Sequence, residues 1–119
     1  MQLAAGSQLA QSRPSGTTAT SIFTASIVTE ISLIVVCNTT ASSADFSIYH
    51  DDDGSTADQT TALFYAVPVA GNTTVTISSD SIGAGLQMAA TAQLSVQTSV
   101  ANALTFTVYG VTEEIAHAG

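Results

Sequence analysis

Ala103–Ile115 has the sequence ALTFTVYGVTEEI, and this stretch decides the fold. Its first part alternates apolar and polar residues, so that Leu104, Phe106 and Val108 fall on one side of a period-two ribbon. β-Branched and aromatic residues suit a pleated, half-buried surface. Gly110 then interrupts the pattern where a bulge or a close backbone approach is tolerated. The stretch therefore predicts a strand with one face on a core, and it names no chemistry.

Seven further runs predict strands at a spacing of about eight to twelve residues, which is the rhythm of an antiparallel sandwich or barrel. They are Thr18–Ala25, Ile27–Asn38, Asp45–His50, Thr61–Val69, Thr73–Ser79, Leu86–Ala90 and Gln93–Thr98. Ile27–Asn38 becomes apolar at both parities, which indicates a strand that ends covered on both faces. Pro68 predicts the edge or the end of its strand.

Alternation within these runs also predicts which side chains face the core. The inward set is Phe46, Ile48, Leu86, Met88, Leu94 and Val96, and Tyr49 points outward.

The length of 119 residues indicates one domain with a single core. Residues 1–16 have no firm hydrophobic period, and we expect them to form an N-terminal arm that a neighbouring subunit orders through Leu3 and Leu9. Residues 17–115 form the predicted sandwich, and residues 116–119 a flexible tail.

Charged residues are few, and acidic residues greatly outnumber basic ones. Charged residues make up 8% of the chain, with nine acids against the single base Arg13, for a net charge of -8. Binding to phosphate backbones depends on Lys and Arg, so direct contact with nucleic acid or an anionic membrane is not expected. The sequence shows no leader and no apolar run of membrane length, so we expect a soluble chain made in the cytoplasm. Cys37 is interpreted as a small buried hydrophobe.

Residues that could support catalysis are few. His50 beside an acidic loop is interpreted as an exposed loop histidine, and His117 lies in the tail. No serine stands in a recognisable nucleophile motif. We therefore expect no enzymatic activity and no cofactor.

Asp51, Asp52 and Asp53 form the sharpest candidate site, because three carboxylates in a tight loop, with Asp58 nearby, could chelate calcium. The spacing does not fit an EF-hand loop, and a solvated hairpin tip is favoured over a metal site. Glu113 and Glu114 are neighbours on a predicted strand, so their carboxylates point to opposite faces.

Most of the chain from Thr17 to Ile115 matches a pattern of strands and turns. The matching stretches are Thr20–Thr24, Glu30–Thr40, Ala44–Gly54, Thr61–Tyr65, Asn72–Ile77 and Thr105–Glu113. Together they resemble a family of small virion proteins of tailed bacteriophages that are built as a single β-sandwich. We therefore predict an all-β fold, an antiparallel β-sandwich that is jelly-roll-like, with about eight strands and an extended N-terminal arm.

The resemblance implies a structural role on the phage particle. The leading hypothesis is a capsid decoration (cement) protein on the capsid exterior, which forms homo-oligomers, with a trimer favoured, and clamps the major capsid protein. The alternative is a head–tail connector or another tail-associated structural protein. The contact residues expected for these roles are Leu3, Leu9, Arg13, Tyr49, Asp51, Asp52, Asp53 and Tyr109.

A hypothesis from a different class is a module that displays loops to a host-surface glycan, with calcium at Asp51–Asp53. The absence of Trp and the few aromatic residues count against a sugar-stacking platform.

Overall fold

The computed structural model describes residues 7–51, 56–78 and 86–112. In these ranges the chain forms nine strands and one 3-10 helix, Gln59–Thr61. The strands are β1 (Ser7–Ser12), β2 (Thr20–Thr24), β3 (Thr29–Asn38), β4 (Ala44–Asp51), β5 (Ala62–Val69), β6 (Thr74–Ser78), β7 (Leu86–Met88), β8 (Gln93–Thr98) and β9 (Leu104–Thr112). All except β1 overlap a predicted strand. Within the described ranges, no helix is long and apolar enough to cross a membrane.

The strands form two antiparallel sheets that pack against each other, which confirms the predicted β-sandwich. The first sheet has the order β1-β9-β3-β6, and β7 also pairs with β3. The second sheet has the order β2-β8-β4-β5. Successive strands alternate between the sheets except at β4–β5 and β6–β7. β5 is an edge strand, and it contains Pro68 as expected.

β6 and β7 lie one after the other along the same side of β3. β6 pairs with Leu33–Cys37, and β7 pairs with Thr29–Ile31. The two strands therefore form successive parts of one sheet edge, and residues 79–85 connect them.

The core lies between the sheets and contains most of the predicted inward residues. Phe46 of β4 and Phe106 of β9 meet edge to face, with ring centroids 6.2 Å apart and an interplanar angle of 78°. Such aromatic pairs add about 0.5–1.5 kcal/mol beyond the area that they bury. The other predicted inward residues that are buried in the core are Leu104, Val108, Ile48, Met88, Leu94 and Val96, and Leu86 packs against them while partly exposed.

A β-bulge in β3 explains why that strand is apolar at both parities. Ile31 pairs with Gly110 of β9 and Leu33 with Tyr109, so Ser32 is an extra residue on β3. Because side chains alternate along a strand, the extra residue moves the inward positions to the other parity. The prediction of a strand covered on both faces is therefore wrong: the inward face changes parity, and Leu33 lies on the outer face, partly exposed.

The predicted arm is wrong for residues 7–12, because they form β1 at the edge of the first sheet. β1 pairs antiparallel with β9, and Leu9 and Ala10 pack against the core of their own chain. The Gln11 side chain donates a hydrogen bond from Nε2 to Thr107 Oγ1 at 3.0 Å. Leu9 is thus ordered by packing against its own sheet, and its predicted contact with a neighbouring subunit stays a prediction. Leu3, His117 and the predicted tail lie outside the described residues.

Candidate functional site

Arg13, the only Lys or Arg residue of the chain, forms hydrogen bonds within its own chain. Its Nη2 donates to the carbonyl oxygen of Asn102 at 2.5 Å and to Thr39 Oγ1 at 3.2 Å. The amide of Asn102 in turn donates to the Pro14 carbonyl oxygen at 2.9 Å. These bonds join the β1–β2 connection to the β8–β9 turn and to the β3–β4 connection. Arg13 is exposed, and its predicted contact with a partner stays a prediction.

Tyr49 is not the exposed aromatic residue that the sequence predicts. It points away from the core on the outer side of the second sheet, but only 2% of it is exposed, and the 3-10 helix packs against its strand. Its hydroxyl donates to Gln97 Oε1 at 2.5 Å. Tyr49 therefore orients a neighbouring side chain and is not available as a contact residue.

The acidic loop is described only in part, because Asp52 and Asp53 lie outside the described residues. Asp51 ends β4, and its Oδ2 accepts a hydrogen bond from the Thr56 amide at 2.5 Å. Among the described residues, no three His, Cys, Asp or Glu side chains come together as metal ligands.

Asp58 has a local structural role. Its Oδ1 caps the 3-10 helix by accepting bonds from the Thr60 hydroxyl at 2.5 Å and the Thr60 amide at 2.8 Å. These two bonds, the hydroxyl first, lower the pKa of Asp58 below its ordinary value of 3.8. A lowered pKa means that the capping contribution is complete above the ordinary pKa and is lost as the pH falls through the lowered one.

His50 is not an exposed loop residue. It lies in β4 opposite Leu94 of β8, at the inward parity of the strand. The residue is partly exposed, but its Nε2 atom is buried and has no hydrogen-bond partner among the described residues.

Tyr109 lies on an uncharged surface of the first sheet. It is partly exposed, and the strand pairing places it beside Gln8 and Leu33 on the side away from the core. We call this surface the neutral face. Its members belong to β1, β9, β3 and β6, and none is charged: Gln8, Gln11, Leu33, Val35, Cys37, Thr74, Thr76, Ser78, Thr105, Thr107 and Tyr109. Glu30 of β3, paired with Val111 and also on the outer side of the sheet, lies beyond one end of this surface.

An apolar row runs along the middle of the neutral face. It consists of Leu33, Val35 and Cys37, all partly exposed. Cys37 is therefore not the buried residue that the sequence predicts. The row exists because the bulge at Ser32 turns these β3 side chains outward.

The second sheet carries a polar groove on its own outer face. We call it the sheet-two groove; it encloses about 190 Å³. Its walls include Thr17, Asp45, Ser47, Tyr65, Ala66 and Gln97. Ser47 and Gln97 lie directly opposite each other on β4 and β8, so they form the floor.

A second bulge shapes the rim of this groove. Val67 pairs with Phe46 and Phe64 with Ile48, so Tyr65 and Ala66 together oppose only Ser47. Ala66 has a left-handed backbone with φ of 53°, and its amide donates to Ser47 Oγ at 2.9 Å. Bulges of this kind re-aim side chains. Here the result is that Tyr65 stands 53% exposed beside the groove.

The neutral face and the groove are not predicted from the sequence, although an irregular hydrophobic pattern in a predicted strand accompanies each of them. The double-parity apolar pattern of Ile27–Asn38 is what a parity change inside a strand produces. In Ala62–Val69 the alternation fails around Tyr65 and Ala66, which is the mark of the β5 bulge.

The fold defines the class of this protein as an antiparallel β-sandwich. No protein-family model, curated protein or solved structure matches the chain.

Proposed function

We propose that this chain is a structural subunit that works by adhesion through the neutral face. The observation that carries the proposal is the apolar row Leu33, Val35 and Cys37 on a face without charge, in a chain of net charge -8. Two copies of such a chain repel each other over most of their acidic surface. At the neutral face this repulsion is weakest, and the apolar row can be removed from water.

The occupant that we propose for the neutral face is a second copy of this chain. Threonine, serine and glutamine around the apolar row can form hydrogen bonds at the rim, as polar rims do in other interfaces. Tyr109 lies within this face, in keeping with the contact role predicted for it.

In its biological setting we propose a capsid decoration protein of a tailed phage, on the exterior of the shell and bound to the major capsid protein. The alternation of strands between sheets supports this, because it suits the jelly-roll-like sandwich that the resemblance implies. The resemblance favours a trimer, whereas a face that binds the same face of a second copy gives a dimer. A head–tail connector or tail-associated protein is the alternative, and no catalytic activity is proposed.

Self-association tests the neutral face. Val35→Asp should weaken self-association by about 100-fold or more in sedimentation experiments, because an unpaired carboxylate would be buried in the contact. Thr18→Asp adds the same charge at an exposed position outside the face and should leave association unchanged. Thr76→Asp, exposed on β6 beside Val35, provides a second test if Val35→Asp folds poorly.

The contact is refuted if the wild type is monomeric at all concentrations, or if Thr18→Asp weakens association as much as the variants within the face. The mass of the wild-type oligomer distinguishes a trimer from a dimer.

The proposed position on a phage particle is tested by counting copies of the chain in purified particles. A number comparable with that of the major capsid protein supports decoration, and a number fitting one ring supports the connector. Absence from the particle would overturn both roles.

A further inference from the structure

The sheet-two groove has the size and the chemistry of a small polar binding site. Its volume of about 190 Å³ is below the roughly 300–1,000 Å³ of pockets for drug-sized ligands. The space suits one small ring with polar substituents.

The polar groups of the floor are oriented before any ligand arrives. Gln97 is held on both sides of its amide, because Oε1 accepts from Tyr49 and Nε2 donates to the Thr17 carbonyl oxygen at 3.0 Å. Ser47 uses its oxygen to accept from Ala66, which leaves the hydroxyl proton available for donation. A site that is already ordered loses little entropy when it binds.

Asp45 supplies acceptor capacity. It is partly exposed at the groove, and its carboxylate accepts no hydrogen bond from the residues that the structure describes. An ionised carboxylate has about four lone-pair sites, and hydrogen bonds to charged groups are stronger than neutral ones. Vicinal hydroxyl groups are donors of the type that such an acceptor binds.

Tyr65 supplies an apolar wall. Its hydroxyl accepts a bond from Gln59 Nε2 at 2.9 Å, which fixes the ring at the rim. The left-handed backbone of Ala66 is unfavourable for an L-residue by about 1–2 kcal/mol. Backbone strain of this kind is concentrated at functional sites, and here it places an aromatic ring beside a row of polar groups.

We propose that the sheet-two groove binds one ring of a neutral saccharide. The C–H face of the sugar would lie on Tyr65, and its hydroxyl groups would bond to Asp45, Ser47 and Gln97. No cation lines the groove among the described residues, and the only base, Arg13, binds the β8–β9 turn. A sugar with a carboxylate or phosphate would therefore meet Asp45 without compensation.

This inference does not depend on the proposed adhesion. The groove and the neutral face belong to different sheets, so a subunit attached through the first sheet can still bind a sugar with the second. The groove differs from the acidic loop Asp51–Asp53 of the glycan-binding alternative, and the groups proposed here need no calcium.

Amide chemical shifts of the full chain measure the binding. The probes are methyl glycosides of glucose, galactose, mannose and N-acetylglucosamine, each alone, and the methyl glycoside of glucuronic acid as the anionic comparison. At least one neutral glycoside should shift the amides of Ser47, Ala66 and Gln97 in the millimolar range, and the glucuronide should not.

Two variants test the assigned groups. Tyr65→Ala and Asp45→Ala should each weaken binding by about tenfold or more, because each removes one side of the site. Leu63→Ala is the matched control: Leu63 is a 43% exposed apolar residue of the same strand and does not line the groove. Its variant should bind as the wild type does.

The proposal is overturned if none of the neutral glycosides shifts the groove amides. It is equally overturned if Tyr65→Ala and Asp45→Ala bind as well as Leu63→Ala while all three spectra remain those of a folded protein.

Discussion

At the scale of single residues, Gly110 determines how closely two strands approach. A Cβ atom at this position would overlap the backbone carbonyl oxygen of Glu30 and would press on the Leu9 side chain. The sequence indicates that either a bulge or a close backbone approach is tolerated at Gly110, and the structure shows the close approach. The residue across the strand pair could not be predicted, because a sequence does not state which strands become neighbours.

Gly110→Ala should therefore destabilise the fold by about 1–3 kcal/mol, the usual cost of overpacking a filled site. Urea unfolding, followed by circular dichroism, measures the change. Gly16→Ala is the control, because a Cβ there meets no atom within 4 Å, and its effect should stay within about 0.5 kcal/mol. Equal midpoints for the two variants would contradict the steric argument.

At the scale of strands, the sequence predicts the regular stretches and misses the irregular ones. The last strand and most of the other predicted runs lie where alternation is clear, and it fails in Ile27–Asn38 and in Ala62–Val69. The bulges at Ser32 and Ala66 each shift one strand against its neighbour by a residue. The pattern along one strand shows that alternation fails, but which residue is the extra one depends on the pairing with the partner strand. β1 was missed for a related reason: an edge strand needs only a few buried side chains, and Leu9 and Ala10 are enough.

Asn38 at the end of β3 links the two sheets. Its Nδ2 donates to the Ser42 carbonyl oxygen at 2.8 Å and to the Val69 carbonyl oxygen of β5 at 3.0 Å. Its Oδ1 accepts from the amide and the hydroxyl of Thr40 at 2.9 and 2.8 Å. The side chain is 1% exposed, so these bonds are shielded from water.

Asn38→Asp keeps the shape and removes the donor, so two carbonyl groups would face a buried carboxylate. We expect a loss of about 2–4 kcal/mol in the free energy of unfolding, measured by urea denaturation. Asn72→Asp makes the same chemical change at an exposed left-handed turn position and should change stability by less than about 0.5 kcal/mol. A small effect at Asn38 would show that its bonds do not hold the sheets together.

At the scale of the whole molecule, the distribution of charge favours adhesion through the neutral face and binding of a neutral sugar over a contact made by ion pairs. The chain carries a net charge of -8, and the neutral face has no charged residue. Sequence alone indicates the acidity and the sandwich. It does not indicate that Leu33, Val35, Cys37 and their outward neighbours form a surface without charge, because that depends on the β3 bulge and on which strands lie side by side.

Raising the salt concentration should therefore strengthen self-association. The Debye length falls from about 30 Å at 0.01 M to about 10 Å at 0.1 M ionic strength, so repulsion between acidic copies weakens while apolar contact does not. Sedimentation at the two ionic strengths measures the change. An association that weakens with salt would instead indicate an ionic contact and would argue against the neutral face.

The junction between Arg13 and Pro14 has a practical consequence for detecting this chain by mass spectrometry. The chain has one Lys or Arg in total, and trypsin, which cleaves after these residues, does not hydrolyse a bond whose amide nitrogen belongs to proline. Pro14 is also buried. A routine tryptic digest of a particle would therefore release no peptide from this chain, so an abundant protein would go unseen in such an inventory. Cleavage beside its acidic residues, or a mass measured on the undigested chain, would reveal it.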